Sequence, residues 1–324
     1  MQNHFYIFIL CWCFISCNNE DDSSTIVDLN AAYNWETHEP FETSYPTFTM
    51  ETTEDFLSVP ENLGPVSLSE TSGLAFSINN PGMLWAHNDS GHTNSISLIE
   101  IATAAVKARY KITGTNNIDW EDMEIAINPN NNKPYLYVGD IGDNDEKRPH
   151  YTIYKFQEPT YLESHSPQGV TIWEPMDFSA IRFTYPDGSH DAETLLVDPT
   201  TQDIFLVTKR DVVSTLYVAP FPQDGTTTLY KAGAFSFKDA SGGNVALDGK
   251  KILIKNRQEI FYWSVTGEET LVQTLEKTPV KAPYVGEPQG EAICFDTEYN
   301  YFTLSEALNN TTPPTLYKYK LKSN

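Results

Sequence analysis

Basic residues are scarce in this chain: 21 lysines and arginines stand against 44 aspartates and glutamates, a formal net charge of −23 over 324 residues. Residues 1–17 contain none of these four types, so the imbalance falls entirely on residues 18–324. Such a surface repels phosphate backbones, because holding them needs basic side chains that release counterions, and nucleic acid is excluded as a partner. Cysteine is nearly absent too. Of four, Cys11, Cys13 and Cys17 sit in the first 17 residues, leaving Cys294 alone. No disulfide can form within the remainder, so its stability must come from a packed core. Long apolar runs are missing as well: the longest, Phe5 to Ile15, is far short of the roughly 20 residues that span a bilayer. Long helical patterns are scarce throughout.

What the first residues do contain is the apolar core of a secretory signal. Phe14-Ile15-Ser16-Cys17 resembles the lipobox of bacterial lipoproteins. That resemblance implies a signal peptide over residues 1–16, acylation of Cys17 (the lipoprotein palmitate) and a membrane anchor in the cell envelope, expected at the outer membrane on its surface or periplasmic side. An ordinary cleaved signal or a short uncleaved anchor is the alternative. Asn18-Asn19-Glu20-Asp21-Asp22-Ser23-Ser24 is polar and acidic, too poor in apolar surface to order itself. Residues 17–45 are therefore expected to be a flexible tether, and 46–324 the folded domain.

That domain repeats. Short β-branched and aromatic runs alternate with Asn, Asp, Gly and Pro clusters, the pattern of many strands joined by turns. Four segments share one plan: an acid, an apolar strand, a polar turn and a second apolar strand. They are Glu70 to Asp89, Asp119 to Asp140, His190 to Arg210, and Gly290 to Glu306; a weaker copy, Gly242 to Arg257, lacks the leading acid. A third, aromatic strand comes after most copies, as in Tyr151 to Phe156, and a fourth after several, as in Ile181 to Tyr185. Four strands per unit of about 50 residues is the blade plan of a β-propeller. The fold expected is all-β, a propeller of five four-stranded blades. The last unit lacks a fourth strand, which the stretch near Thr47–Met50 is expected to supply; a sixth blade has room in 30–68 or 158–180. A β-sandwich is the alternative, but it would not require the repeated acid.

In a propeller the first strand of each blade lines the axis. Glu70, Glu121, Glu193 and Glu291 are expected to converge there with Asp119, Asp122 and Asp191, and with Asp89, Asp140, Lys209, Arg210, Arg257 and Glu306 at the ends of the second strands. Crowded carboxylates cannot all stay ionised without cations or protons. Two readings stand: a metal ring held by Glu70, Asp89, Glu121, Asp122, Asp140, Asp191, Glu193 and Glu291, or salt bridging to Lys209, Arg210 and Arg257. Calcium suits the first, since it takes many oxygen ligands in flexible geometry. Zinc prefers Cys and His, and only His87 and His190 are placed for it. Asp140 to Glu146 is oxygen-rich, either a second ion site or a turn held by Asx bonds. Trp85 and Trp120 either stack sugars or fill the core.

Glu70-Thr71-Ser72-Gly73-Leu74, Asp119-Trp120-Glu121-Asp122, Asp191-Ala192-Glu193 and Gly290-Glu291-Ala292-Ile293 resemble the repeated openings of secreted bacterial propellers of the phytase-like (esterase-like) type, over about residues 65–320. The resemblance implies axial carboxylates that hold calcium and phosphoester substrates bridged by metal and basic residues, with Lys209, Arg210 and Arg257 as anion holders. Two functions are compatible with it. One is a calcium-dependent hydrolase of phosphoesters or related esters, with Glu121 and His190 as the acid and base candidates. The other is a non-catalytic propeller binding a glycan or protein in nutrient uptake. An open cleft faced by Lys209, Arg210 or Arg257 marks the first, and exposed aromatics on one rim mark the second.

Overall fold

The computed structural model describes residues 33–165, 169–223, 225–309 and 312–323. The expected lipidation site Cys17, the expected signal peptide 1–16 and most of the expected tether lie outside the described residues.

Two strands precede the first blade, β1 (Phe41–Glu42) and β2 (Glu61–Pro65). Blade one is β3 (Thr71–Phe76), β4 (Met83–Asn88), β5 (Ser95–Glu100) and β6 (Ala105–Ile112). Blade two is β7 (Trp120–Asn128), β8 (Lys133–Asp140) and β9 (Tyr151–Gln157), then β10 (Thr171–Trp173), which belongs elsewhere, and β11 (Ser179–Thr184). Blade three is β12 (Ala192–Val197), β13 (Ile204–Thr208) and β14 (Thr215–Ala219), interrupted by β15 (Thr226–Thr228) before β16 (Tyr230–Ala234). Blade four is β17 (Gly242–Val245), β18 (Lys251–Lys255), β19 (Ile260–Ser264) and β20 (Val280–Ala282), with a short helix α1 (Leu271–Leu275) before β20. Blade five is β21 (Gly290–Phe295), β22 (Tyr301–Ser305) and β23 (Thr315–Tyr319). Within each blade the strands form an antiparallel meander.

The ring closes because each blade has two apolar faces. Inner strands such as β12 are buried along their whole length, and each inner strand packs on the next around the axis: β3, β7, β12, β17, β21 and back to β3. One apolar cluster fills each of the five seams between blades. Trp85 and Trp120 both belong to the seam between blades one and two and are fully buried; their indole N–H groups donate to Glu158 Oε1 and the Asn116 carbonyl, each at 2.7 Å. They fill the core and are out of reach of a sugar.

The fold has five blades, and the segments that had room for a sixth do something else. β10 and β15, from connections within blades two and three, pair in parallel with the outer strands of blades one and two. β1 does the same for blade three, and Thr52 bridges Lys281 on blade four. The fourth strand of blade five is β2, paired antiparallel with β23. Thr47–Thr49 is instead a single 3-10 turn. Blades one to four thus have their outer edges covered, as free sheet edges invite intermolecular pairing. The folded part also begins earlier than residue 46: Phe41 and Tyr45 are core residues, with Tyr33 and Trp35 packed beside them. Aromatic anchors without periodicity gave the sequence no strand signal there.

Candidate metal centre and anion cleft

Four inner strands carry the same irregularity one residue from their start. In β7, Trp120 opposes Asp140 and Asp122 opposes Gly139, so Glu121 is an extra residue. Glu193, Glu291 and Ser72 are the extra residues of β12, β21 and β3 by the same register shift. A bulge re-aims the side chain it carries. Only β17 runs in regular register, with Gly242 and Gly243 at that place. Glu70 therefore matches Asp119 and Asp191 rather than the three glutamates. It sits half-exposed in an ion pair with His92, 3.1 Å away.

Around the axis, Asp89, Asp119 and Glu121 can bring one oxygen each to within 4.8 Å of one another, and so can Glu121, Asp191 and Glu193. Glu121 is the shared vertex. It is only 4% exposed, yet among the described residues no donor hydrogen-bonds its carboxylate. Gly142 leaves the adjoining space open: a Cβ there would collide with Glu121 Oε1 and Asp119 Oδ2. Two oxygen clusters with an unbonded buried carboxylate between them fit a hard metal ion.

The electrostatics point the same way. Seven carboxyl groups (Asp89, Asp119, Glu121, Asp191, Glu193, Glu291 and Glu306) meet Lys209, Arg210 and Arg257 directly, with Arg148 and Lys255 acting on Asp119 and Glu291 from farther off. Lys209 pairs with Glu193 and lies 3.4 Å from Glu291; Arg210 Nε is 2.7 Å from Asp191; Arg257 is 3.3 Å from Glu291. The excess leaves its mark on proton affinity. Burial and the charge of Asp89 push Asp119 up to about 6. Burial, then Glu291, push Glu306 up to about 8. Glu121 is held well above the ordinary carboxylate range by burial and by Glu193, Asp89, Asp119 and Glu291. The salt bridges expected at Lys209, Arg210 and Arg257 are present, and beside them stand clustered acids whose geometry could hold a metal ion.

Several expected ligands have other work. Asp122, one step below the bulge, is fully buried and accepts the backbone N–H groups of Met123, Leu195 and Gly243 at 2.8, 2.9 and 3.1 Å, tying three inner strands together. Glu124 lies one layer deeper and takes the N–H groups of Ile125 and Val245 and the Asn244 amide. Asp140 faces Arg148 at 2.8 Å and the Asp119 N–H at 3.1 Å. In the oxygen-rich loop, Asp143 accepts from the Arg148 N–H and the Tyr151 hydroxyl, the arrangement of a bonded turn. His190 is clamped between Asp211 (3.0 Å) and Asp187 (3.1 Å). Burial opposes its charge, but the two carboxylates hold its pKa above the ordinary imidazole value, and both ring nitrogens are engaged by them. His87 is fully buried and packed on Trp120, where burial lowers its pKa to about 4.

Beside the acids opens a cleft of about 700 Å³ between blades three and four, lined by Lys209, Arg210, Lys238 and Arg257 among others. Arg210 and Arg257 remain 46% and 47% exposed, so each guanidinium pairs with an axial acid while still facing the cleft. Lys238, Gly142 and Arg148 carried no signal in the repeat, because they lie on connecting loops. Lys255, which ends the second strand of the weaker copy, is fully buried at the end of β18 beside Tyr284, where burial lowers its pKa to about 8 against the pull of Glu287.

No family model and no curated protein sequence matches this chain. Among solved structures it is similar to the PQQ-bound aldose sugar dehydrogenase of Streptomyces coelicolor (10% identity, TM-score 0.48, covering 82% of this chain and 98% of that one). A glucose dehydrogenase (11%, 0.47, 82% and 100%) and a gluconolactonase from Xanthomonas campestris (12%, 0.44, 88% and 95%) are similar at the same level. At such identities the likeness is one of fold.

Proposed function

We propose that this chain is an exported, lipid-anchored propeller hydrolase of phosphoesters or related esters that works with a divalent cation, calcium by the chemistry of its oxygen donors. The observation that carries the reading is the adjacency of the Glu121 cluster to the cationic cleft, through side chains that belong to both: Lys209 and Arg210 line the cleft and pair with Glu193 and Asp191. Asp89, Asp119, Glu121, Asp191 and Glu193 would hold the ion. Bound there, it would polarise the ester and lower the pKa of a water. Arg210, Arg257 and Lys238 would hold the anionic group, the two arginines by paired N–H donors. A carboxylate of the cluster would take the proton of the attacking water. Glu306, which keeps its proton near neutrality, is suited to return one to the leaving oxygen. The half-exposed aromatics that glycan stacking would need do not line this cleft, since Phe237 is its only aromatic residue and is buried.

The anchor proposed at Cys17 agrees with this layout. Tyr33 and Trp35, the first aromatics described, pack beside Asp198, Phe205 and Leu271, at the opposite end of the inner strands from Glu121 and Glu193.

Turnover of p-nitrophenyl phosphate by the purified exported chain, with calcium or with chelator, tests the proposal. Calcium-dependent release of p-nitrophenol together with a calcium-dependent rise in melting temperature is the expected result. Absence of turnover on phosphoesters and lactones, with melting indifferent to chelator, overturns it.

A further inference from the structure

A second cleft, of about 510 Å³, opens between blades five and one. It meets the same end of the axis: Asn88 lines it and precedes Asp89 of the metal cluster, and Ala307 lines it and comes directly after Glu306. Its chemistry is the reverse of the first. Ser67, Ser69, Thr93, Ser95 and Ser97 supply hydroxyls, and Arg109 is its sole lysine or arginine. That arginine donates to the Ser67 carbonyl at 3.3 Å, and the nearby His92 is paired with Glu70. Each hydroxyl both donates and accepts, which matches the two-way hydrogen bonding of sugar hydroxyls and offers nothing to neutralise a further anion. Its volume is within the ordinary range of small-molecule sites.

We infer that the substrate is asymmetric: a single anionic ester group held at the Arg210 and Arg257 cleft, and an uncharged sugar or polyol, the leaving group, lying in the serine-lined cleft across the axis. This rests on the hydrolase reading above. Water adds to phosphorus, the bond from phosphorus to the sugar oxygen breaks, and the released hydroxyl takes a proton from the acid cluster. A ring bearing several phosphates would bring into this cleft more charge than its one arginine, Arg109, can meet.

The test compares kcat/KM of the full chain with calcium on glucose 1-phosphate, p-nitrophenyl phosphate and inositol hexakisphosphate. Glucose 1-phosphate is expected to be preferred, and S95L and R109A each to lower the ratio of sugar ester to aryl ester about tenfold, the loss expected when a hydrogen-bonding site is blocked. Equal rates on the first two, a preference for the hexakisphosphate, or an unchanged ratio in both variants overturns the inference. If no ester is turned over, the hydrolase reading fails and calorimetry with glucose decides the cleft separately. Heat of binding that S95L removes supports it, and no heat in the parent chain overturns it.

Discussion

Glu121 stands where two acid clusters meet, with no donor to satisfy it and four acids contributing to its raised proton affinity. Glu121→Gln keeps the shape and removes a charge. Without calcium this variant is expected to melt slightly higher than the parent, because repulsion falls. With calcium it is expected to lose most of the ion's stabilisation; scanning calorimetry with and without the ion reads both. Gly142→Ala reaches the same end by sterics, since its methyl would occupy the space at Glu121 and Asp119. Asp122 obeys different rules. Removing it by Asp122→Ala strands three buried N–H groups, at about 1–3 kcal/mol each, so urea denaturation should show a loss of several kcal/mol whether calcium is present or not. Equal calcium responses in the Glu121 and Asp122 variants would contradict this division of labour.

At the scale of elements, the decisive feature is the N-terminal belt. β1 lies on β16 of blade three, the Thr53 N–H reaches the Lys281 carbonyl of blade four at 2.7 Å, the Leu57 N–H reaches the Lys320 carbonyl at 2.9 Å, and β2 completes blade five. One segment thus staples three consecutive blades and covers their edges. Deleting residues 33–57 while keeping β2 is expected to expose the edges of β16 and β20 and to promote association. Light scattering coupled to gel filtration would detect it; a monomer of unchanged melting temperature would show the belt to be dispensable. The repeated bulge is the other element-scale device, because it turns Glu121, Glu193 and Glu291 toward one level of the axis.

For the whole molecule, the acid cluster ties stability to pH and to cations. The raised carboxyls, Asp119 to about 6 and Glu306 to about 8, keep protons in the folded chain that the unfolded chain has already released at about 4 to 4.5. The unfolded state then binds fewer protons, so this contribution to stability falls as pH rises from about 5 to 8 without calcium. Ion binding displaces those protons, so the stabilisation by calcium is expected to grow over the same window. Melting curves at pH 5, 6.5 and 8, with calcium and with chelator, should diverge toward high pH. Parallel curves would count against a metal in the cluster.

The sequence by itself determined the propeller, because blade strands are local: alternation, turn residues and the repeat of strand pairs are all written within about 50 consecutive residues. It also determined that acids converge on the axis, since one position recurs in successive inner strands. Tertiary structure alone decided which acids share a site. The bulges separate Glu121 from its neighbour Asp122, a one-residue shift that side-chain identity does not announce. Glu70 leads its repeat and so reads as a ring member, but register gives it the position that Asp119 and Asp191 hold in their own blades, and it pairs with His92. Lys238 and Gly142 lie on loops of different blades, and the serine-lined cleft joins β5 and β6 of blade one to the end of blade five, all brought together only by ring closure. The fourth strand of blade five and the covering of blades three and four likewise depend on where the N-terminal segment is carried, a long-range pairing for which no local pattern exists.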